Sequence, residues 1–211
     1  MKPAAAAALR LLLVRHAEVE ADGQNIFGGR MDLALSPRGH EQAAVLADYL
    51  RRQPLDAIYA SPMKRVQQTL APLLARGAPP PVILPDLREM DFGDWTGLSG
   101  EAVQTRFGVS AWSWLEQIEN NRIARAEGFA ALRERVAPCL RRIQDEQPGR
   151  QVAVFCHGGI IRVVLALLLH WPLARLGAFE IAYASVTRVR LHPERVQLQL
   201  INYAPWREPG A

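Results

Sequence analysis

Lysine is nearly absent: only Lys2 and Lys64 stand among 25 basic residues, and the rest are arginine. The chain lacks the lysine-rich tail and the aromatic–basic interleaving of many nucleic-acid binders, so nucleic acid is not an expected partner. Cysteine is scarce as well. Cys139 and Cys156 have no zinc-type spacing and form no disulfide framework. Two buried, reduced thiols in a cytoplasmic protein are expected. Long apolar runs are also missing. The longest, Ile160–Leu169, is interrupted by Arg162 and is far shorter than the ~20 residues of a bilayer span. No membrane anchor is expected. The opening Met1–Val14 stretch has a basic residue and an alanine run, but Arg10 breaks its apolar segment, so it reads as a tail over 1–8 leading into a strand.

What is there is the balance of a folded protein. With 211 residues, 49% hydrophobic and 22% charged, the chain is neither disordered nor a disulfide-built miniprotein, and it is read as one domain over 1–211. The net charge of +4 suits an anionic small molecule, and arginine forks bind phosphate or carboxylate through paired hydrogen bonds. No signal speaks to oligomeric state. Trp112, Trp114 and Trp206 either mark an interface or, as the simpler expectation, are buried within the monomer.

The pattern predicts strands alternating with helices. Leu9–Val14 is apolar except at Arg10, as in a strand covered on both faces. Asp22–Leu35 reads as a long loop. Ser36-Pro37 opens a helix, with Ser as N-cap and Pro in the first turn. Leu55–Ala60 is a second strand, and Ser61-Pro62 repeats the helix-start signal. Val82–Leu84 is a third strand, followed by a glycine-rich loop over Arg88–Gly100. Residues 98–147 form a helical lid region, with a stripe from Phe129 to Ile143 that Pro138 is expected to kink. Gln151–Cys156 is a buried strand and Ile160–His170 an apolar helix. Val186–Leu191 and Val196–Ile201 close as a hairpin. The fold class expected is α/β, a three-layer α-β-α sandwich around a mostly parallel sheet.

Chemistry collects at three strand ends. The first runs into Arg15-His16, the second into Ser61 and on to Arg65, and the fourth into His157-Gly158-Gly159. In parallel sheets, ligands bind outside the carboxyl ends of the strands. Two histidines, two arginines and helix N-termini at one edge invite an anion.

These residues carry a resemblance. Arg15-His16-Ala17-Glu18 is similar to the Arg-His-Gly-Glu/Thr signature of the histidine phosphatase superfamily, the phosphoglycerate mutase-like group. Gly29-x-x-Asp32-x-x-Leu35-Ser36-x-x-Gly39-x-x-Gln42-Ala43 resembles the stretch after its nucleophile. Ser61-Pro62-x-x-Arg65-x-x-Gln68-Thr69 resembles its second arginine motif. Leu87-x-Glu89-x-Asp91-Phe92-Gly93-Asp94-Trp95-x-Gly97 is similar to its acid loop, and His157-Gly158-Gly159 to its second histidine.

The resemblance implies a phosphoryl-transfer site. His16 would be the nucleophile and form a phosphohistidine. Arg15 and Arg65 would keep it neutral and bind the phosphoryl oxygens, with His157 and the Gly158 N–H as further donors. Glu89 would be the general acid and base. Asp91 and Asp94 would shape the loop. No metal and no cofactor is implied, because arginines supply the positive charge. The alternatives are a metal-dependent hydrolase using His16, His157, Glu89 and Asp91, and a non-catalytic phosphometabolite-binding protein. Two arginines against a cation oppose the first. A retained nucleophile and acid oppose the second.

Two departures bear on substrate. Ala17 replaces the common glycine. The phosphate-contacting asparagine of the family falls at Asp22, leaving Asp22 and Asn25 both open for that position. Glu18, Glu20 and Asp22 crowd this edge with negative charge, which favours singly phosphorylated substrates. Glu89 and His157 are only 157 − 89 = 68 positions apart, short beside the mutase branch. Phe27-Gly28-Gly29-x-x-Asp32 resembles the α-ribazole and broad-specificity phosphatases. A phosphatase of small phosphorylated metabolites is therefore expected, with mutase-type transfer as the alternative. Arg106, Arg122 and Arg125 either select an acidic substrate or line an exposed helix face.

Overall fold

The computed structural model describes residues 8–207; all but the last residue of the expected 1–8 tail lies outside them. Its organising element is one six-stranded sheet in the order β3-β2-β4-β1-β5-β6. The strands are β1 (Leu9–Arg15), β2 (Ala57–Ala60), β3 (Pro81–Ile83), β4 (Gln151–Cys156), β5 (Val186–Leu191) and β6 (Val196–Tyr203). Strands β1 to β4 run parallel, and β5 and β6 continue the sheet as an antiparallel hairpin with irregular register at Val186–Val189.

Alternation along the central strands builds two cores. Leu11 and Leu13 of β1, Tyr59 of β2, and Val152, Val154 and Cys156 of β4 face one layer. Leu12 and Val14, Ile58 and Ala60, and Ala153 and Phe155 face the other. Successive side chains in a strand point to opposite faces, so a strand apolar at every position must be covered twice. Helices α1 (Pro37–Leu50) and α2 (Lys64–Leu74) cover the second face through Ala43, Leu46, Leu50, Val66, Leu70 and Leu73. Helices α3 (Gly100–Phe107), α4 (Trp114–Glu119), α5 (Phe129–Glu146) and α6 (Gly158–Leu169) build the first. The three-layer α/β sandwich read from the sequence is the observed one.

Helix starts divide. The Ser36 hydroxyl accepts the Gly39 N–H at 2.9 Å with Pro37 in the first turn, as read. Ser61-Pro62 does not open a helix. α2 begins at Lys64, its N-cap Met63 makes no side-chain cap, and the Ser61 hydroxyl is engaged elsewhere. α5 continues through Pro138 to Glu146. Both cysteines are free and buried, and burial pushes both thiols above their ordinary range. Among the described residues, no helix is long and apolar enough to cross a membrane.

Candidate active site

The sheet order places β4 between β1 and β2, with Arg15 paired to Cys156 and Ala60 paired to Phe155. The three chains therefore leave the sheet side by side. The backbone N–H of His16 donates to the Cys156 carbonyl at 3.1 Å, and the backbone N–H of Ser61 to the Phe155 carbonyl at 2.9 Å. The rings of His16 and His157 meet edge to face with centroids 5.2 Å apart.

His16 is almost fully buried, and its Nδ1 lies 2.8 Å from the Ala17 carbonyl oxygen. A carbonyl only accepts, so Nδ1 carries the proton and Nε2 keeps its lone pair. Burial, then Arg65, then Arg15 hold this imidazole well below its ordinary pKa. His157 is completely buried beside it, and its Nε2 lies 2.9 Å from the Ser61 hydroxyl. Burial, then Arg65, His16 and Arg15 push its pKa down too. Its Nδ1 and the Arg15 Nε have no hydrogen-bond partner among the described residues. His157 does not contribute to the open wall of the cleft, whereas Arg15, His16, Arg65, Glu89 and Gly158 do.

The two arginines are held by backbone oxygens. Arg65 is buried and donates to the carbonyls of Gly29 at 2.7 Å and Met31 at 2.8 Å. The Gly29–Asp32 stretch is thereby tied to α2. Arg15 donates to the Ile181 carbonyl at 2.5 Å, with its guanidinium 4.1 Å from the Tyr183 ring centre. Glu89 is buried, and its carboxylate accepts the N–H groups of Met90 at 3.0 Å and Gly159 at 3.1 Å. Gly158 begins α6, where first-turn N–H groups have no intrahelical acceptor and the helix dipole favours an anion.

The cleft occupies about 580 Å³, within the usual range for small-molecule sites. It contains residues that sequence reasoning passed over. Arg162 was visible only as the charge interrupting an apolar helix. It donates to the carbonyls of Gly158 at 3.1 Å, Leu176 at 3.3 Å and Phe179 at 2.8 Å. Burial holds its pKa down to about 10. Tyr183 and Glu180 also line the cleft and had no sequence signal.

Several expectations change. Trp112 is not buried: it is 94% exposed at the cleft, because its short 3-10 turn (Ala111–Ser113) projects it from the surface. Trp114 lies near the Arg162 guanidinium, and the Trp206 indole donates to the Tyr183 carbonyl at 2.7 Å. Glu18 accepts from the Ser36 hydroxyl and Glu20 from the Ala34 N–H, so these carboxylates are engaged outside the cleft. Asn25, not Asp22, is on the cleft wall. Arg122 pairs with Glu116 and Arg125 with Asp94 on the surface, and neither these nor Arg106 contributes to the cleft. Asp91 accepts the Gly93 N–H at 2.9 Å and pairs with Arg30. Among the described residues, no group of three or more His, Cys, Asp or Glu is arranged to hold a metal ion.

A buried neutral histidine between two arginines, with a carboxyl group across an α/β cleft, defines a phosphoryl-transfer class, and comparison with known proteins agrees. The model of the histidine phosphatase superfamily (branch 1) matches residues 11–204. The chain belongs to that superfamily and is a histidine phosphatase, an enzyme that hydrolyses phosphoric monoesters. It is 29% identical over 200 residues to the adenosylcobalamin/α-ribazole phosphatase of Salmonella typhimurium, covering 94% of this chain and 99% of the relative. It is 31% identical to phosphoserine phosphatase 1 of Hydrogenobacter thermophilus, covering 92% of each chain. The solved α-ribazole phosphatase of Shigella flexneri superposes with a TM-score of 0.78 at 25% identity, covering 92% of this chain and 96% of that one.

Proposed function

We propose that the protein hydrolyses small-molecule phosphomonoesters through a phosphohistidine on His16 Nε2, without a metal ion. The observation that carries this reading is the state of His16: its proton is committed to the Ala17 carbonyl, and burial beside Arg65 and Arg15 opposes a second proton. A neutral ring with a free Nε2 is the form that attacks phosphorus.

In the first step the His16 Nε2 lone pair forms a bond to phosphorus as the bond to the leaving oxygen breaks. Glu89, acting as general acid, gives a proton to that oxygen. In the second step Glu89 takes a proton from water, which attacks phosphorus and releases phosphate and the imidazole. Arg15, Arg65 and the Gly158 N–H at the start of α6 neutralise the three equatorial oxygens. With the Ser61 hydroxyl donating to Nε2, neutral His157 carries its proton on Nδ1 and offers it to the same phosphoryl group. Each charge-assisted hydrogen bond contributes on the order of 1.5–3 kcal/mol. The partner is a small phosphorylated metabolite in the cytoplasm rather than nucleic acid or a membrane surface.

Rapid quenching during turnover tests this directly. Acid-labile, base-stable phosphorus on His16, absent in His16→Ala, is expected. Its absence from the wild type removes the intermediate. A panel of phosphomonoesters and 3-phosphoglycerate is run with and without bisphosphoglycerate and with EDTA. Bisphosphoglycerate-dependent isomerisation with little phosphate release would favour the mutase alternative. Activity lost in EDTA would favour a metal.

A further inference from the structure

A buried ion pair outside the cleft reaches the loop that carries Glu89. Arg135, on α5, donates from Nε to Glu127 Oε1 at 2.6 Å and from Nη2 to Oε2 at 2.9 Å. The two side chains are only 9% and 10% exposed. The remaining donors of the guanidinium go to the acid loop itself. Nη1 donates to the carbonyls of Asp86 and, at 2.9 Å, Arg88, and Nη2 reaches the Glu89 carbonyl at 3.4 Å. Glu127 grips the same loop from its other end. It accepts the Asp91 N–H at 3.4 Å and donates its own N–H to the Asp91 carbonyl at 2.9 Å.

One guanidinium–carboxylate unit thus binds the backbone at residues 86, 88, 89 and 91. A buried pair of this kind is a poor device for stability alone, since desolvation offsets much of its attraction. A planar fork with five donors serves several fixed carbonyls at once, which a lysine ammonium on a flexible stem does not. The Glu89 carboxylate is itself held by backbone N–H groups of Met90 and Gly159, so its place in the cleft follows the place of its own backbone.

We infer that Arg135 and Glu127 are positioning residues for Glu89, setting the geometry of proton transfer to the leaving oxygen. The inference rests on the reading of Glu89 as general acid. An acid must sit within hydrogen-bond reach of the atom it protonates, and a displacement of about 1 Å costs on the order of a hundredfold. The demand depends on the leaving group. An alkoxide must be protonated as it departs, whereas a nitrophenolate leaves without help.

The experiment compares kcat/KM, which reports formation of the phosphoenzyme, on p-nitrophenyl phosphate and on a simple alkyl phosphate. Wild type, Arg135→Lys, Glu127→Gln and Glu89→Gln are measured, with circular dichroism and melting for each. Arg135→Lys and Glu127→Gln are expected to lose about tenfold or more on the alkyl ester and about threefold or less on the nitrophenyl ester, in the same direction as Glu89→Gln. A merely structural role predicts equal losses on both esters. Equal losses in Arg135→Lys and Glu127→Gln, with selective loss kept in Glu89→Gln, overturn the positioning role alone. No selective loss in Glu89→Gln overturns the acid reading and the inference with it. Loss of fold in both pair variants assigns the pair to the scaffold and also overturns the inference.

Discussion

The Gly159 amide donates to Glu89 Oε2 at 3.1 Å, and a methyl group placed on Gly159 would stand 2.5 Å from Oε1 of the same carboxylate. The second glycine after His157 therefore makes the room in which the carboxyl group sits. Gly159→Ala is expected to displace Glu89 and to lower kcat/KM by on the order of a hundredfold. Alanine is the better helix former by about 1 kcal/mol, so the melting temperature should change by no more than a few degrees. Steady-state kinetics and a thermal melt check this. Wild-type turnover would mean that the loop moves aside without cost.

His16 is expected to remain neutral, protonated at Nδ1, in mildly acidic solution. Nitrogen-15 spectra of the ligand-free enzyme at pH 5.5 should show a protonated Nδ1 and an unprotonated Nε2. A doubly protonated ring there would remove the basis for its nucleophilicity.

The same burial gives stability a direction with pH. Both His16 and His157 have folded pKa values well below the ordinary 6.5. Above that value the rings are neutral in both the folded and unfolded states. As pH falls through it, the unfolded chain takes up protons that the fold refuses, so stability declines with falling pH. Urea unfolding at pH 7.5 and 5.5 should show a smaller decline in His16→Asn than in the wild type. An identical decline would argue against this source.

Ser61→Ala removes the hydroxyl facing His157 Nε2. A buried polar atom left without a partner costs about 1–3 kcal/mol, and the His157 tautomer is no longer fixed. A lower denaturation midpoint and about a tenfold lower kcat/KM are expected, the latter reflecting one weakened hydrogen bond to the transition state. Unchanged kinetics would separate His157 from the phosphoryl group.

Trp112 offers a contrast, being 94% exposed yet on the cleft. Trp112→Ala should leave stability within about 0.5 kcal/mol and alter KM unequally across substrates. Uniform KM values across a phosphomonoester panel would show that the indole touches no substrate.

Much of this site was legible because strand ends carry it. Leu9–Val14 and Gln151–Cys156 are apolar at nearly every position, which marks central strands, and Arg15-His16 and His157-Gly158 follow them directly. Where one signal had two physical uses, reading failed. Ser61-Pro62 looks like a helix start, yet the Ser61 hydroxyl serves His157 and α2 begins at Lys64. Arg162 registered as a break in an apolar run because its partners are backbone carbonyls at residues 158, 176 and 179, which no side-chain pattern reveals. Arg135 and Glu127 carried no signal in the sequence either, because together they hold backbone groups of residues 86, 88, 89 and 91. Hydrophobicity alone places Trp112 in the interior, although its short turn faces outward.

The central place of β4 has a consequence for synthesis. On the ribosome, β1 and β2 are made long before the strand that joins them. Until Gln151–Cys156 emerges, each nascent strand waits with an unsatisfied edge facing the gap. Pairing across so long a loop is slow to form. The insertion of β4 therefore joins β1 to β2 and brings His157 beside His16, with β5 and β6 still to be added, and a growing chain that stops short of it has no working phosphatase to release.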